Sequence, residues 1–547
     1  MRKRNIYIKT ALAAFTVILS ACSSDNDALD NSTSNQDKPV SNKAMTFRAS
    51  MDGTTTRTDF NGNSTTWSDN DAISILNTAS VPEESDRENQ ATFTISKGVG
   101  TKEATFTGGP IKANGNDNDS FYAFYPATTL STSGNAIKAS ASVPTVQTAI
   151  DGTYDQSLHF MSAYSTNATF NFKNVCSLIK ITLTNNTSVC RVKVVANPTL
   201  TNVYDQQFNY TSITGNFDAT IGSDGTASVT ATDAKSTYVE LRANGDDVTA
   251  KTVIGNGTFY MVVLPANITN GFTLLFEKTN GTIYQRISTK VTKFERNQMY
   301  DLGSFDCSGT PSGMTELTNV VDLDLPSGTI WATKNLTTTR TYNGLFQGYT
   351  YTHDFAASET EYGDYFSFGE HYVQATTADT PNSYMTNYTL KTQYDMAYSF
   401  DNRYCMPIYA QLYELYNNFS NDNKASFKGN SNPDKGAKFW TSTGRYIWLP
   451  YGGHYWGGST MKLVAIPPYN TLGQEAAYWS RTYVGNVSSS ALSGDAYCLD
   501  LKESDGNPVL DQHNGIGDGG APWHDNSYSG RNIRPVVTNV KIAPIYQ

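Results

Sequence analysis

Groups able to do chemistry are thinly spread through this 547-residue chain. The six histidines stand at 159, 353, 371, 454, 513 and 524, and only His513 and His524 share a segment, with Asp511, Asp518 and Asp525 around them. Imidazole nitrogens and carboxylate oxygens can hold a divalent cation together. Their spacing fits no established ligand pattern, so no metal is assigned. The sequence contains no His-Glu-x-x-His, no Gly-x-Ser-x-Gly and no phosphate-cradling Gly-Lys-Ser/Thr loop. None of the six cysteines forms a Cys-x-x-Cys pair, which signals neither structural zinc nor a dithiol centre. Cys176 and Cys190 flank the turn Asn185-Asn186-Thr187, and a hairpin there sets Cys176 opposite a residue near 196. No disulfide is expected between them. No cofactor and no catalytic residue is assigned, which leaves recognition as the chemistry to look for.

The elements that would position recognition residues are strands. Charged residues are only 16% of the chain, aromatics reach 12%, and there are 34 tyrosines. That texture suits exposed β-sheets and argues against long helices. The length predicts two to four domains, each able to bury a core without staples. A formal charge of −10, with no run of Lys or Arg after residue 9, argues against a phosphate backbone as partner.

The first residues read as an address. Arg2, Lys3, Arg4 and Lys9 precede a mostly apolar run, Ala11 to Ala21. Eleven helical residues rise about 16 Å, roughly half the hydrocarbon thickness of a bilayer, so this run is too short to span. It ends Leu19-Ser20-Ala21-Cys22, which resembles the lipobox of bacterial lipoproteins. The resemblance implies removal of residues 1–21 and acylation of Cys22, by two or three chains that each contribute about 0.8 kcal/mol per buried methylene. Loss of the four cations would take the formal charge from −10 to −14. Residues 22–43 are too polar to fold and are expected to be a lipidated flexible tether. Asp25 and Asp27 near its start resemble a surface-export signal, placing the chain on the outer membrane, facing outward.

From 44 to 306, short β-patterned runs alternate with turn signals. Ala91 to Ile95 and Ala104 to Thr107 alternate polar or small with apolar residues, whereas Phe259 to Leu264 and Phe272 to Phe276 fit strands buried on both faces. Asp52-Gly53, Asn61-Gly62, Asp151-Gly152, Asn244-Gly245 and Asn280-Gly281 mark tight turns. Several phrases, in order, resemble the fimbrillin-like (type V pilin) family: Met45 to Ser50, Thr56-Arg57-Thr58, Trp67 to Ile75, Phe121 to Ala127 and Asn174 to Lys180. The resemblance implies two transthyretin-like β-sandwiches, 44–171 and 172–306, and fimbrial subunits as strand-exchange partners. In that scheme a protease cuts after an arginine, the first strand leaves, and a neighbour's strand fills the groove. Arg48 and Arg57 are the candidate cut positions; both read equally well as surface arginines.

After the Ser-Gly-Thr-Pro linker, 307–317, the texture changes. Five of seven tryptophans (440, 448, 456, 479 and 523) lie beyond residue 400. Pro407 opens a helix whose apolar face carries Ile408, Leu412, Leu415, Tyr416 and Phe419. Val321 to Asn335, Tyr362 to Glu370, Arg403 to Pro407, Tyr446 to Pro450, Ala477 to Ser480 and Gly530 to Val536 together resemble the "major paralogous" domain of surface lipoproteins. That likeness implies an α+β C-type-lectin-like fold over 318–540, related also to formylglycine-generating enzymes. The expected fold class is mainly β: two transthyretin-like sandwiches followed by this α+β domain. Tyr478, Trp479 and Ile533 are expected in its core, with Arg534 tying the last strand to a loop.

Recognition is then expected in loops carried by this scaffold. The candidate ligand-binding residues are Tyr483, Asn486, Asp511, His513, Trp523, His524, Asp525 and Tyr528, in a stretch whose Tyr, Ser, Asn, Gly and Trp resemble antibody loops. Trp523-His524-Asp525-Asn526 resembles the Trp-Asn-Asp phrase of sugar-binding lectins in altered order, and the partner phrase Glu-Pro-Asn is absent. Covering about 60 Å² of ring with a sugar contributes roughly 1.5 kcal/mol, so a few contacts give a weak site that needs many copies. Cys405 and Cys498 could mimic the copper-bound pair of the enzymes but read as small buried hydrophobes. The leading expectation is a fimbrial accessory or tip adhesin binding a host or bacterial surface glycan or protein. The alternative is a solitary glycan-binding lipoprotein outside any fimbria.

Overall fold

The computed structural model describes residues 44–51, 66–79, 88–114, 119–201, 207–245, 251–345, 347–370, 385–386, 389–420, 425–427, 435–453, 475–485, 495–504, 507–510, 524–526 and 530–544. Cys22 and the tether lie outside them. All belong to one compact unit, Lys38–Gln547. Among the described residues no helix is long and apolar enough to cross a membrane.

Seven strands of the first region close into a barrel, in the order Met45–Met51, Thr169–Asn174, Met161–Ser165, Phe121–Tyr125, Ala72–Asn77, Gln90–Lys97, Glu103–Gly108. Closure replaces the expected open sandwich because Met45–Met51 pairs on both edges, parallel with Thr169–Asn174 and antiparallel with Glu103–Gly108. Period-two alternation turns Phe47, Phe93, Phe106, Phe121, Phe170 and Phe172 inward with Trp67, all fully buried. Trp67 meets Phe106, Tyr125 and Phe172 edge to face.

The second region is a sandwich. A six-stranded sheet (Thr315–Leu317, Ile283–Ile287, Phe272–Lys278, Val189–Ala196, Tyr238–Arg242, Val146–Thr148) shares its core with a three-stranded one (Gly257–Val263, Ser177–Thr184, Met299–Asp306). Phe259 to Leu264 are all buried, and so are Thr273 to Phe276 after the half-buried Phe272, as expected for strands covered on both faces.

Two sequence expectations fail here for physical reasons. Asn185-Asn186-Thr187 does not close a hairpin: Ser177–Thr184 and Val189–Ala196 lie in different sheets, so the turn carries the chain across the sandwich. Asn186 staples that crossing, donating to the carbonyls of Val189 and Ile254 and accepting from the Val189 amide. The five described cysteines are free thiols, with Cys176 and Cys190 on opposite sides of that crossing. The division near residue 172 is also crossed. Ala136–Val143 pairs with Gly215–Ile221, and Val146–Thr148 pairs with Tyr238–Arg242, so strands from before the division complete sheets built after it.

The segment 307–317 is more than a linker. Thr315–Leu317 extends the six-stranded sheet along Ile283–Ile287, and Cys307, Met314 and Leu317 are buried. Beyond it, Val320–Asp322, Ile330–Ala332, Val536–Val537 and Tyr404–Cys405 form one sheet. Glu475–Gly485 and Asp495–Ser504 form the long ladder of another. The expected helix is Tyr409–Ser420, burying Leu412, Leu415 and Phe419, with the Ile408 amide donating to Gln411 Oε1 at its start. A short second helix, Met396–Phe400, went unforeseen; Asp395 caps it. Tyr478, Trp479 and Ile533 are buried as expected. Arg534 donates to Asn335 Oδ1 and to the carbonyls of Ala332 and Trp448, tying the last strand to two others.

Candidate functional site

Three places bear on function: the seat of the first strand, the joint between the sandwich and the carboxy-terminal region, and the face expected to carry ligand contacts. In the first, Met45, Phe47 and Ala49 point into the barrel while Arg48 points to solvent. Arg48 lies opposite Thr105 on one side and Thr169 on the other, and its amide donates to the Ala168 carbonyl at 2.8 Å. A bond held in two ladders is poorly presented to a protease, which needs an extended segment free of partners. Arg57 lies outside the described residues, between this strand and Trp67.

The joint is built from one strand with two different faces. Along Val189–Ala196, Val192, Val194 and Ala196 enter the sandwich core, while Arg191, Lys193 and Val195 face the carboxy-terminal region. Arg191 reaches Asp322 at 2.6 Å, Asp324 at 3.1 Å, Glu240 at 3.2 Å and Glu277 at 2.9 Å. Lys193 reaches Asp322 at 2.9 Å and Asp324 at 2.8 Å, and lies over the Tyr238 ring. Arg445 closes the network on Glu277 and Asp324. Burial alone would push the Asp322 carboxyl up, but Lys193, Arg191 and Arg445 outweigh it and hold it well below the usual carboxylate range. Burial would likewise lower the Lys193 ammonium, yet Asp322 and Asp324 raise it.

Apolar contacts run beside the charges. Val195, Leu275, Ile283 and Leu317 share a core with Ile330, Leu336 and Phe366. Gly328, at φ 72°, sits against Val195 so closely that an added Cβ would fall 2.8 Å from Cγ1. Glu414, on the long helix, accepts from Tyr210 Oη and from the Ser327 amide, both at 2.8 Å, and from Ser327 Oγ. Burial pushes its carboxyl up to about 7 against those three donors. No sequence signal marked the joint except the two cations at alternate positions of an otherwise valine-rich strand.

The predicted ligand residues divide by placement. Tyr483 is on the strand Glu475–Gly485, 6% exposed, its ring stacked on Phe368 within the core. That corrects the loop assignment: the strand runs further than its turn-rich sequence suggested, and the tyrosine faces inward. His524 and Asp525 belong to a strand, His524–Asn526, pairing with Asp495–Ser504. Asn486, Asp511, His513, Trp523 and Tyr528 lie outside the described residues. Cys405 and Cys498 are buried, and burial pushes the Cys405 thiol up to about 12.

A set of solved structures resembles parts of this chain. A candidate cell adhesion protein from Bacteroides uniformis is 16% identical with a TM-score of 0.30, over 50% of this chain and 95% of its own. The tip fimbrial protein Mfa3 from Porphyromonas gingivalis, truncated at its carboxy terminus, is 9% identical with a TM-score of 0.22, over 57% of this chain and 98% of its own. A fimbrial protein from Bacteroides ovatus is 11% identical with a TM-score of 0.22, over 87% and 95%. No curated protein matches the chain. Residues 54–303, which take in most of the barrel and the sandwich, match the family described as fimbrillin-like and are a fimbrillin-like domain.

Proposed function

We propose that this chain is a cell-surface fimbrial accessory subunit of the adhesin kind, carried to the surface on acylated Cys22 and freed from that anchor when its first strand is cut away. Its fimbrillin-like part exchanges a strand with other subunits, and its carboxy-terminal region meets a glycan or protein on another cell. The supporting observation is the seat of Met45–Met51, a strand hydrogen-bonded along both edges whose inward residues lie among Phe93, Phe121 and Phe170. Losing it would open a slot with two unpaired edges and an aromatic floor, which a donated strand fills with a full ladder. A cut after Arg57 releases the strand whole, whereas a cut after Arg48 leaves part of it in place. The joint supports the adhesin role, because a region fixed to the sandwich by buried contacts passes a pull on its ligand directly to the fibre.

The test is digestion of the acylated full-length protein with an arginine-specific protease, followed by amino-terminal sequencing and sizing. The expected product begins at Thr58 and joins an added fimbrial subunit by taking up its strand, and Arg57→Ala blocks both. A wild-type protein that joins the added subunit uncut, or is cut at Arg57 and does not join it, would overturn the reading.

A further inference from the structure

A half-open cleft of about 330 Å³ lies over the joint, walled by both of the regions that meet there. Tyr238 and Glu240 come from one strand of the six-stranded sheet, and Thr145 immediately precedes the strand Val146–Thr148 that pairs with it. Asp324 comes from the segment that enters the carboxy-terminal region. Asn418 and Phe419, near the end of the long helix, and the turn Thr441-Ser442-Thr443 between Gly436–Trp440 and Tyr446–Pro450 complete the lining. In that turn the Thr441 and Thr443 hydroxyls bond each other at 2.6 Å, while Ser442 is exposed.

We propose that this cleft is a binding site for one neutral hexose, held across the joint. Neutrality follows from how the two lining carboxylates are engaged. Glu240 accepts from Arg191 at 3.2 Å and from Arg242 at 2.6 Å. Asp324 accepts from Arg191 at 3.1 Å and Lys193 at 2.8 Å through one oxygen, and from Arg445 through the other. An anion entering the cleft would meet two carboxylates, and a cation would meet acids whose charge is already balanced. A carboxylate has about four lone-pair sites, so both acids keep room for a hydroxyl donor, which brings no charge to desolvate. Thr145 and Ser442 supply hydroxyls that donate or accept, and Asn418, whose amide nitrogen is committed to the Glu414 carbonyl at 2.9 Å, offers its oxygen. The half-buried Tyr238 and Phe419 add ring surface for the C–H face of a sugar. Size selects a single ring: the volume equals about eleven waters at roughly 30 Å³ each, near the lower end of small-molecule sites. A longer glycan would enter by its terminal residue. The cleft is separate from the loops between 483 and 528, and binding there does not depend on strand exchange.

The experiment is saturation-transfer NMR and calorimetry on the full chain with D-glucose, D-galactose and D-mannose. D-Glucuronate and protonated D-glucosamine serve as charged versions of the same ring. At least one neutral hexose is expected to bind saturably with a Kd on the order of millimolar, and at least fivefold more tightly than either charged sugar. Ser442→Phe, which puts a ring into the cleft from an exposed turn, should weaken binding at least tenfold, and Asn418→Ala at least threefold. Glu240 and Asp324 stay unchanged, because their loss would undo the joint itself. Circular dichroism and melting temperature of the Ser442 variant should match wild type. Absence of saturable binding for all three hexoses, a charged sugar binding as tightly as the neutral ones, or binding that neither variant weakens would each overturn the proposal.

Discussion

Asp322→Ala tests the joint directly. The carboxylate is fully buried and takes Arg191 Nη2 at 2.6 Å, Lys193 Nζ at 2.9 Å and, through its other oxygen, the Asp324 amide at 2.9 Å. Truncation leaves two buried cations with less than their balancing charge, and breaking a buried pair this way costs about 3–5 kcal/mol. At about 2.1 cal/mol/K per residue, a unit of roughly 500 residues melts about 1 °C lower per kcal/mol, so the melt should fall by about 3–5 °C. Replacing the pair together, Lys193→Met with Asp322→Leu, should cost less than the sum of the two single changes, the signature of direct coupling. The pH dependence has a definite sign. Because Asp322 is held below the usual range when folded, its contribution is fully present above the unfolded carboxylate value and is lost only as pH falls through the lower folded one. Lys193 works in the opposite direction, its contribution being lost only as pH rises through a value above the ordinary lysine range. The assay is calorimetry across pH on wild type, both single variants and the double. An Asp322→Ala melt within about 2 °C of wild type, or strict additivity in the cycle, would refute the reasoning.

Further outcomes follow from individual side chains. Glu414, raised by burial to about 7 when folded against an ordinary 4.5, makes the fold lose stability as pH rises between those values, and Glu414→Gln should flatten that slope in melts taken across it. Gly328→Ala should destabilise by about 1–3 kcal/mol in denaturant titration, since the methyl meets Val195 and the backbone is left-handed there. Phe47→Ala should cost about 3–5 kcal/mol and speed hydrogen exchange first in Met45–Met51, Glu103–Gly108 and Thr169–Asn174, the strands it helps to close.

Strand content and much of the core were legible because burial imposes a period on each strand locally. Phe259 to Leu264, Trp479 and the face of the helix after Pro407 could each be read from their own neighbours. What could not be read was pairing over long separations. Nothing near Ala136–Val143 announces that its partner is Gly215–Ile221, and nothing near Asn186 distinguishes a hairpin from a crossing between sheets. The hairpin of Leu336–Tyr342 and Tyr349–Phe355 does carry a local signal, a Thr-rich run before a Gly-bounded turn and the alternation Tyr349-Thr350-Tyr351-Thr352 after it. Tyr483 shows the converse difficulty: in a Tyr-rich chain the residue type is uninformative, and only the strand's direction decides whether the ring enters the core.

Arg191 and Lys193 give the architecture its logic. Were the sandwich to stand alone, the face of Val189–Ala196 that carries them would be a pair of solvated charges beside a valine, an ordinary outer surface. The carboxy-terminal region turns that surface into an interior, and it does so with Asp322 and Asp324 on the same short segment that enters the new sheet. Apolar contact among Val195, Leu275, Ile330 and Leu336 would favour docking in any of several neighbouring positions, because hydrophobic burial is non-directional. The carboxylates remove that freedom: a shift of one residue along the strand would exchange the cations for Val192 and Val194 and bury the acids against methyl groups. The apolar contacts therefore supply the affinity of the joint and the charges its register, and the two faces of one eight-residue strand make the fimbrillin-like domain and its appended region a single body.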